Sequence, residues 1–152
     1  MMKNQKYIIL AFVAAIPVWF LVQSSLDRYE VNSKFDRTYP QYAKVNDQIF
    51  AHKLPWDREG RVLLPAPLPE LPLGTNVMVV FDSHGLAGTF FPTRKFGSDL
   101  VGGYMYLQER AVGIANQDGI ELGGANQQSV VPVRVVRRLR PNWYYVEPII
   151  TE

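Results

Sequence analysis

Asp82, Ser83 and His84 are consecutive, and each is of a type used in nucleophilic catalysis. Neighbours in one turn cannot form a triad by themselves, because triad members converge from separate segments. The plainer reading is a polar hairpin turn closed by Gly85. A second pairing is Ser33 with Lys34. A serine deprotonated by a buried lysine is a known nucleophile, and Ser24, Ser25 and Ser33 are the candidates behind the apolar N-terminus. Ser33-Lys34 falls within a helical pattern. The chain has no cysteine, which removes thiolate nucleophiles, thiolate metal sites and disulfides. Two histidines, His52 and His84, argue against a multi-histidine metal centre. Gly102-Gly103 and Gly123-Gly124 lack the Lys-Ser/Thr and the strand–helix setting of a phosphate loop. The residues point to no catalytic set, no cofactor site and no metal site.

Binding chemistry is better represented. Arg134, Arg137, Arg138 and Arg140 form the densest basic cluster. It suits an acidic protein surface or lipid headgroups, and a near-neutral chain is a poor nucleic-acid binder. The bland alternative is a solvated strand end, since alternation puts Val133 and Arg134 on opposite faces. Trp143, Tyr144 and Tyr145, with Tyr104 and Tyr106, supply aromatic strand positions. Half of such a set belongs in a core, and the outward half could hold a partner. The partner-binding candidates are therefore Arg134, Arg137, Arg138, Arg140, Trp143 and Tyr145.

These residues need elements to position them. Residues 7–22 (YIILAFVAAIPVWFLV) carry no charge, and Lys3 and Lys6 precede them. Counted to Leu26, the stretch spans about 30 Å as a helix, enough to cross a bilayer core. Tyr7, Trp19 and Phe20 are the anchor residues, Tyr7 and Trp19 at interfacial-belt positions. Pro17 is tolerable in a membrane helix. Both lysines lie on the N-terminal side, so the tail is expected in the cytoplasm and the rest in the periplasm. A cleaved signal peptide is the competing reading, with a weak cleavage box at Val22-Gln23-Ser24.

Four segments follow: residues 1–26 as tail and anchor, 27–54 as a helical neck, 55–73 as a proline-rich strip and 74–152 as a β-domain. Val31, Phe35, Tyr39, Tyr42, Val45 and Ile49 recur at helical spacing. Pro40 is expected to break this neck into short helices. Its apolar stripe suits packing on the β-domain, or a stalk. Alternating prolines at 65, 67, 69 and 72 favour extended geometry, and the leucines between them predict packing on something.

Ten of the eleven glycines lie in residues 74–124 and punctuate short β-rich runs. Strands are expected at 76–81, 86–91, 104–108, 120–122, 129–138 and 142–150, with residues 110–115 extending the third. Asn116–Gly119 and Gly123–Asn126 read as turns. Pro132 predicts an edge or a bulge. The fold class is mainly β, a small SH3-like or OB-like barrel or a sandwich, preceded by short helices and an N-terminal transmembrane helix.

The runs LGTNVMVVFD (73–82), VVPVRVV (130–136) and NWYYVEP (142–148) are similar to β-barrel stretches of the periplasmic adaptor proteins of efflux pumps. That resemblance covers about thirty residues and implies a small β-barrel alone. The lipoyl motif and coiled-coil hairpin of those adaptors are absent, so their bridging role is not implied. The layout of an N-terminal anchor before a β-domain also resembles signal-peptidase-like hydrolases in outline. The serine followed by methionine expected after the anchor is missing.

The net charge of +2 resides wholly in Lys3 and Lys6; residues 27–152 carry 14 basic and 14 acidic side chains. The expectation is a single-pass protein of a bacterial inner membrane. Its partners would be membrane lipid and other envelope proteins, with a homo-oligomer open. It would serve as an accessory subunit of a secretion, conjugation, pilus or transport complex. The alternatives are a Ser–Lys hydrolase, a secreted β-domain binding glycan or peptide, and an accessory subunit of a respiratory or photosynthetic complex.

Overall fold

Helical periodicity before residue 51 and short β-rich runs after residue 75 translate into one long helix and one antiparallel sheet. The computed structural model describes the backbone of residues 3–68, 70–71, 76–96, 100–116, 120–122 and 131–149. Side chains are described from Ser25 onward, apart from residues 94–96, 100–101, 116, 121–122 and 131–132. The chain divides into two compact units, Met1–Arg37 and Thr38–Glu152.

Helix α1 covers Lys3–Phe50. The side chains of Tyr7, Trp19 and Phe20 lie outside the described set. Among the described residues no helix is long and apolar enough to cross a membrane. The expected break at Pro40 does not occur, and the neck is one helix instead of several. Proline removes one amide donor, the one that would bond the carbonyl of residue 36. Pro40 and Asp36 are both exposed, so water can serve that carbonyl. Buried Thr38, Tyr42, Val45, Asn46 and Ile49, spaced by three or four, hold the following turns down.

Past Phe50 the helix ends in a Schellman arrangement. The Lys53 amide donates to the Gln48 carbonyl at 2.8 Å and the His52 amide to the Ile49 carbonyl at 2.9 Å. His52 occupies the left-handed position, φ 55°, where glycine is the usual residue.

Six strands follow: β1 (Met78–Asp82), β2 (Gly85–Phe96), β3 (Leu100–Leu107), β4 (Ile120–Leu122), β5 (Val131–Arg140) and β6 (Trp143–Pro148). They form one sheet in the order β1-β2-β3-β6-β5-β4, with every neighbouring pair antiparallel. Ser83-His84 turns β1 into β2. Pro141-Asn142 turns β5 into β6 with Asn142 at φ 67°, the pattern of a type II turn.

Alternation along the strands gives two apolar faces. Val80, Phe90, Met105, Leu107, Ile120, Val133, Tyr144 and Val146 form the core on one of them. Residues 110–115, expected to extend β3, lie in a 3-10 helix (Glu109–Asn116) instead. Its Val112, Ile114 and Ala115 pack against that core, which a strand continuing past Leu107 would have left open. The opposite face presents Phe91, Tyr104, Tyr106 and Trp143 to α1. Tyr42 stacks on Phe91 with ring centroids 4.7 Å apart, and Tyr39 meets the Trp143 ring edge-on at 5.8 Å. Within this layer the Thr89 hydroxyl donates to the Asn46 side-chain carbonyl at 2.7 Å, both groups buried.

The sheet is neither a closed barrel nor a sandwich. The edge strands β1 and β4 approach each other, but no ladder joins them among the described residues. Part of the β1 edge is already occupied by the preceding segment. The Val62 amide donates to the Val77 carbonyl at 2.8 Å and the Val79 amide to the Gly60 carbonyl at 2.9 Å. The proline-rich strip therefore begins as an edge cover, with Val62 buried and Leu63 exposed; residues 69 and 72–75 lie outside the described set. The predicted turn at 123–126 also falls there, as do residues 117–119 of the turn predicted at 116–119.

The close approach of β2 to β3 requires glycine at position 103. A Cβ there would lie 2.0 Å from the Phe91 carbonyl oxygen. Gly103→Ala is expected to destabilise the domain by roughly 3 kcal/mol through forced backbone displacement, read as a lower unfolding midpoint in denaturant. His52→Gly is expected to stabilise it by about 1 kcal/mol, because the left-handed conformation penalises a Cβ. The check is a higher thermal midpoint with unchanged circular dichroism.

Candidate functional site

The tip of the β1–β2 hairpin collects the residue types of hydrolytic chemistry. Asp82 ends β1, and one of its carboxylate oxygens accepts the His84 backbone amide at 2.7 Å. That bond closes the turn locally, as aspartate does before a tight bend. The second oxygen accepts Arg110 Nη1 at 2.6 Å. Arg110, on the 3-10 helix, also donates Nη2 to the Leu86 carbonyl at 2.6 Å and Nε to Gln108 Oε1 at 3.0 Å. The guanidinium fork thus ties the 3-10 helix to the hairpin. Ser83 Oγ lies 3.1 Å from His84 Nδ1.

This geometry is a staple. A triad needs the carboxylate on the imidazole, holding its tautomer and orientation; Asp82 is spent on a backbone amide and a guanidinium. An open groove of ≈ 580 Å³ runs beside the tip, between Val80, Ile114 and Ile120 below and Asp82, His84 and Arg110 at the rim. The hydrogen bond from Arg110 holds the Asp82 carboxyl below its ordinary value of 3.8, aided by the His84 amide.

Ser33 and Lys34 form no dyad. Successive helical residues do not face each other, and Lys34 is exposed and paired with Glu30 at 2.5 Å. The depressed lysine pKa that such chemistry needs comes from burial. Ser25 is exposed, and Ser24 lies outside the described side chains. Among the described residues no group of three or more acidic or histidine side chains converges as a metal site.

The basic cluster is rearranged by the backbone. Strict alternation would align Arg134, Arg138 and Arg140 and turn Arg137 away. The β5–β6 ladder instead shifts register between Val135 and Arg137 and again between Arg138 and Arg140. Arg134 opposes Glu147, Arg137 opposes Tyr145 and Arg140 opposes Trp143. Those partners are alternate residues of β6, so Arg134, Arg137 and Arg140 share one face. Arg138 opposes Tyr144 and lies on the other face. Arg134 and Arg140 are exposed and Arg137 is half-buried.

Trp143 and Tyr145, read from sequence as candidate contact residues, are 3% and 4% exposed. They belong to the layer beneath α1; of the candidate set, Arg134, Arg138 and Arg140 are exposed. A contact not read from the sequence joins this set to α1: the Arg140 guanidinium carbon sits 4.3 Å above the Tyr39 ring. Burial pushes the Tyr42 hydroxyl in the same layer up to about 12, with Glu70 adding to the rise, so Tyr42 stays neutral.

Arg110→Ala should return the Asp82 titration upward toward 3.8, followed through its carboxyl carbon shift. Because the folded-state value is depressed, the Asp82 contribution to stability is full above 3.8. It fades as pH falls through the lower folded value. The variant should lose that acid-sensitive part.

No family model matches the chain, and no characterised protein or solved structure matches it either.

Proposed function

We propose that the chain is a single-pass envelope protein whose β-domain acts by binding other proteins, as an accessory subunit of a membrane-associated complex. The observation that carries this reading is the distribution of charge and hydropathy. An uncharged run of sixteen residues at 7–22 follows Lys3 and Lys6, and the remaining 126 residues are formally neutral. Such a run partitions into hydrocarbon, and the flanking lysines orient it with the tail in the cytoplasm of a bacterial inner membrane. The β-domain then lies in the periplasm and contacts membrane lipid and other envelope proteins.

Protein binding is favoured over chemistry by the hairpin tip. Its polar side chains are spent on one another and on backbone groups, and no catalytic arrangement is left among them. The complex would be of the secretion, conjugation, pilus or transport type. A respiratory or photosynthetic complex would use the same anchor, and the identity of the co-purifying proteins separates the two.

The test is recovery of the full chain from membranes in mild detergent, with mass spectrometry of its N-terminus and of the proteins that accompany it. An intact N-terminus in the membrane fraction and a reproducible, stoichiometric set of envelope proteins are expected. A soluble product shortened by about 24 residues, as secretory processing would leave it, would sink the anchor. A monomer with no companion would sink the subunit role.

A further inference from the structure

We infer that Leu26 and Tyr29 form the outer seat of α1 in a lipid bilayer, with the Leu26 side chain in the acyl region and the Tyr29 ring among the headgroups. This inference rests on the single-pass reading above. It adds the depth and the helix face at which α1 leaves the membrane.

Exposure is the first reason. Leu26 is 58% and Tyr29 74% exposed, although both are large and mostly apolar. They stand three residues apart, on neighbouring turns of one face of α1. At about 100° per residue, Val31 and Phe35 point to the opposite side. Phe35 is buried there and Val31 is half-buried. This stretch of helix therefore carries two apolar faces, and the one with Leu26 and Tyr29 is open. Asp27 and Arg28, which fall between them in sequence, are turned about 130° from the centre of that face.

Position is the second reason. Helix α1 runs unbroken from Lys3 to Phe50, so the face continues the helix that holds the uncharged run at 7–22. Leu26 lies about one turn beyond Val22, and Tyr29 nearly one turn further. From Tyr7 to Tyr29 the helix rises about 33 Å. That matches a hydrocarbon core of about 30 Å with one tyrosine at each boundary. The chemistry along the face changes in the order that a bilayer does. A leucine comes first, then a ring with a hydroxyl at its tip, then Ser33. Tyrosine suits the boundary because its ring prefers hydrocarbon and its hydroxyl prefers water.

A protein partner fits this face less well. A stable interface buries about 800 Å² on each side, some twenty residues or more. The open face offers two large apolar side chains before it turns polar at Ser33. A bilayer needs no such area, since the run at 7–22 drives insertion and the pair only sets where it stops.

The chain has no cysteine, so a single introduced cysteine carries a nitroxide label at one known place. The full chain with Ala15→Cys, Leu26→Cys, Tyr29→Cys or Ser33→Cys is reconstituted in vesicles of phosphatidylethanolamine and phosphatidylglycerol. Collisions with oxygen, which concentrates in hydrocarbon, and with a water-soluble nickel chelate report the depth of each label. Labels at 15 and 26 are expected to meet oxygen and exclude the chelate. Access to the chelate is expected to rise about threefold or more from 26 to 33, with 29 in between. Circular dichroism of each variant verifies the fold.

A label at 29 as open to the chelate as the label at 33, with 15 still shielded, would overturn the seat and leave the anchor standing. A label at 15 open to the chelate would overturn both. Spin–spin broadening at 26 or 29 that vanishes on dilution with unlabelled chain would give the face to a second copy and overturn the lipid seat. Shielding of both labels from oxygen and chelate alike would give it to protein and do the same. Positions 26 and 29 are separate variants, so either decides the matter if the other fails to fold.

Discussion

A sheet with apolar side chains on both faces cannot leave either one in water, and this constraint organises the molecule. On one face Phe90, Met105, Val133 and Val146 form a core, and Val112, Ile114 and Ala115 of the 3-10 helix pack against it. The other is aromatic, and the second half of α1 covers it with Tyr42, Val45 and Ile49. Burial of large apolar side chains is worth about 1.5–3 kcal/mol each, which outweighs the single hydrogen bond lost at Pro40. The buried Asn46–Thr89 bond adds specificity. Sliding the helix by a turn would leave two polar groups buried without partners, at about 1–3 kcal/mol apiece.

Much of this was legible in the residues. The strand runs, the Asp82–Gly85 hairpin and the helical stripe from Tyr39 to Ile49 follow from period and turn chemistry, which act locally. What was not legible depends on tertiary partners. Pro40 reads as a breaker in isolation, because nothing local reveals that the turns around it are clamped to a sheet. Residues 110–115 have strand-like composition, yet their apolar side chains are worth more as a plug across an open core. Closure of the sheet could not be judged from strand number. It turns on whether two edges pair, and Gly60 and Val62 occupy part of one edge first.

The arginine row shows the same limit at smaller scale. Strict alternation predicts which side chains share a face only while both strands advance together. At two points β5 advances by two residues while β6 advances by one, and each step exchanges the faces of all that follow. A spacing of three between Arg134, Arg137 and Arg140 is the visible trace of those steps. By contrast, the aromatic residues beside them gave a misleading signal. Trp143 and Tyr145 have the composition of a contact surface, and they became a floor because α1 returned to cover them.

That return has a consequence for how the chain is made. Tyr39 and its ring partner Trp143 are separated by about a hundred residues, which a ribosome takes some 5–20 s to deliver. The helix emerges first, and the strand that completes its binding face is the last to appear. The aromatic layer therefore stays incomplete through nearly the whole of synthesis. The hairpin from β5 to β6 acts as the latch of the fold, and a chain interrupted before it can dock its helix only on Phe91 and Tyr104. Quality control that samples exposed aromatics would find such fragments readily and pass over the finished protein.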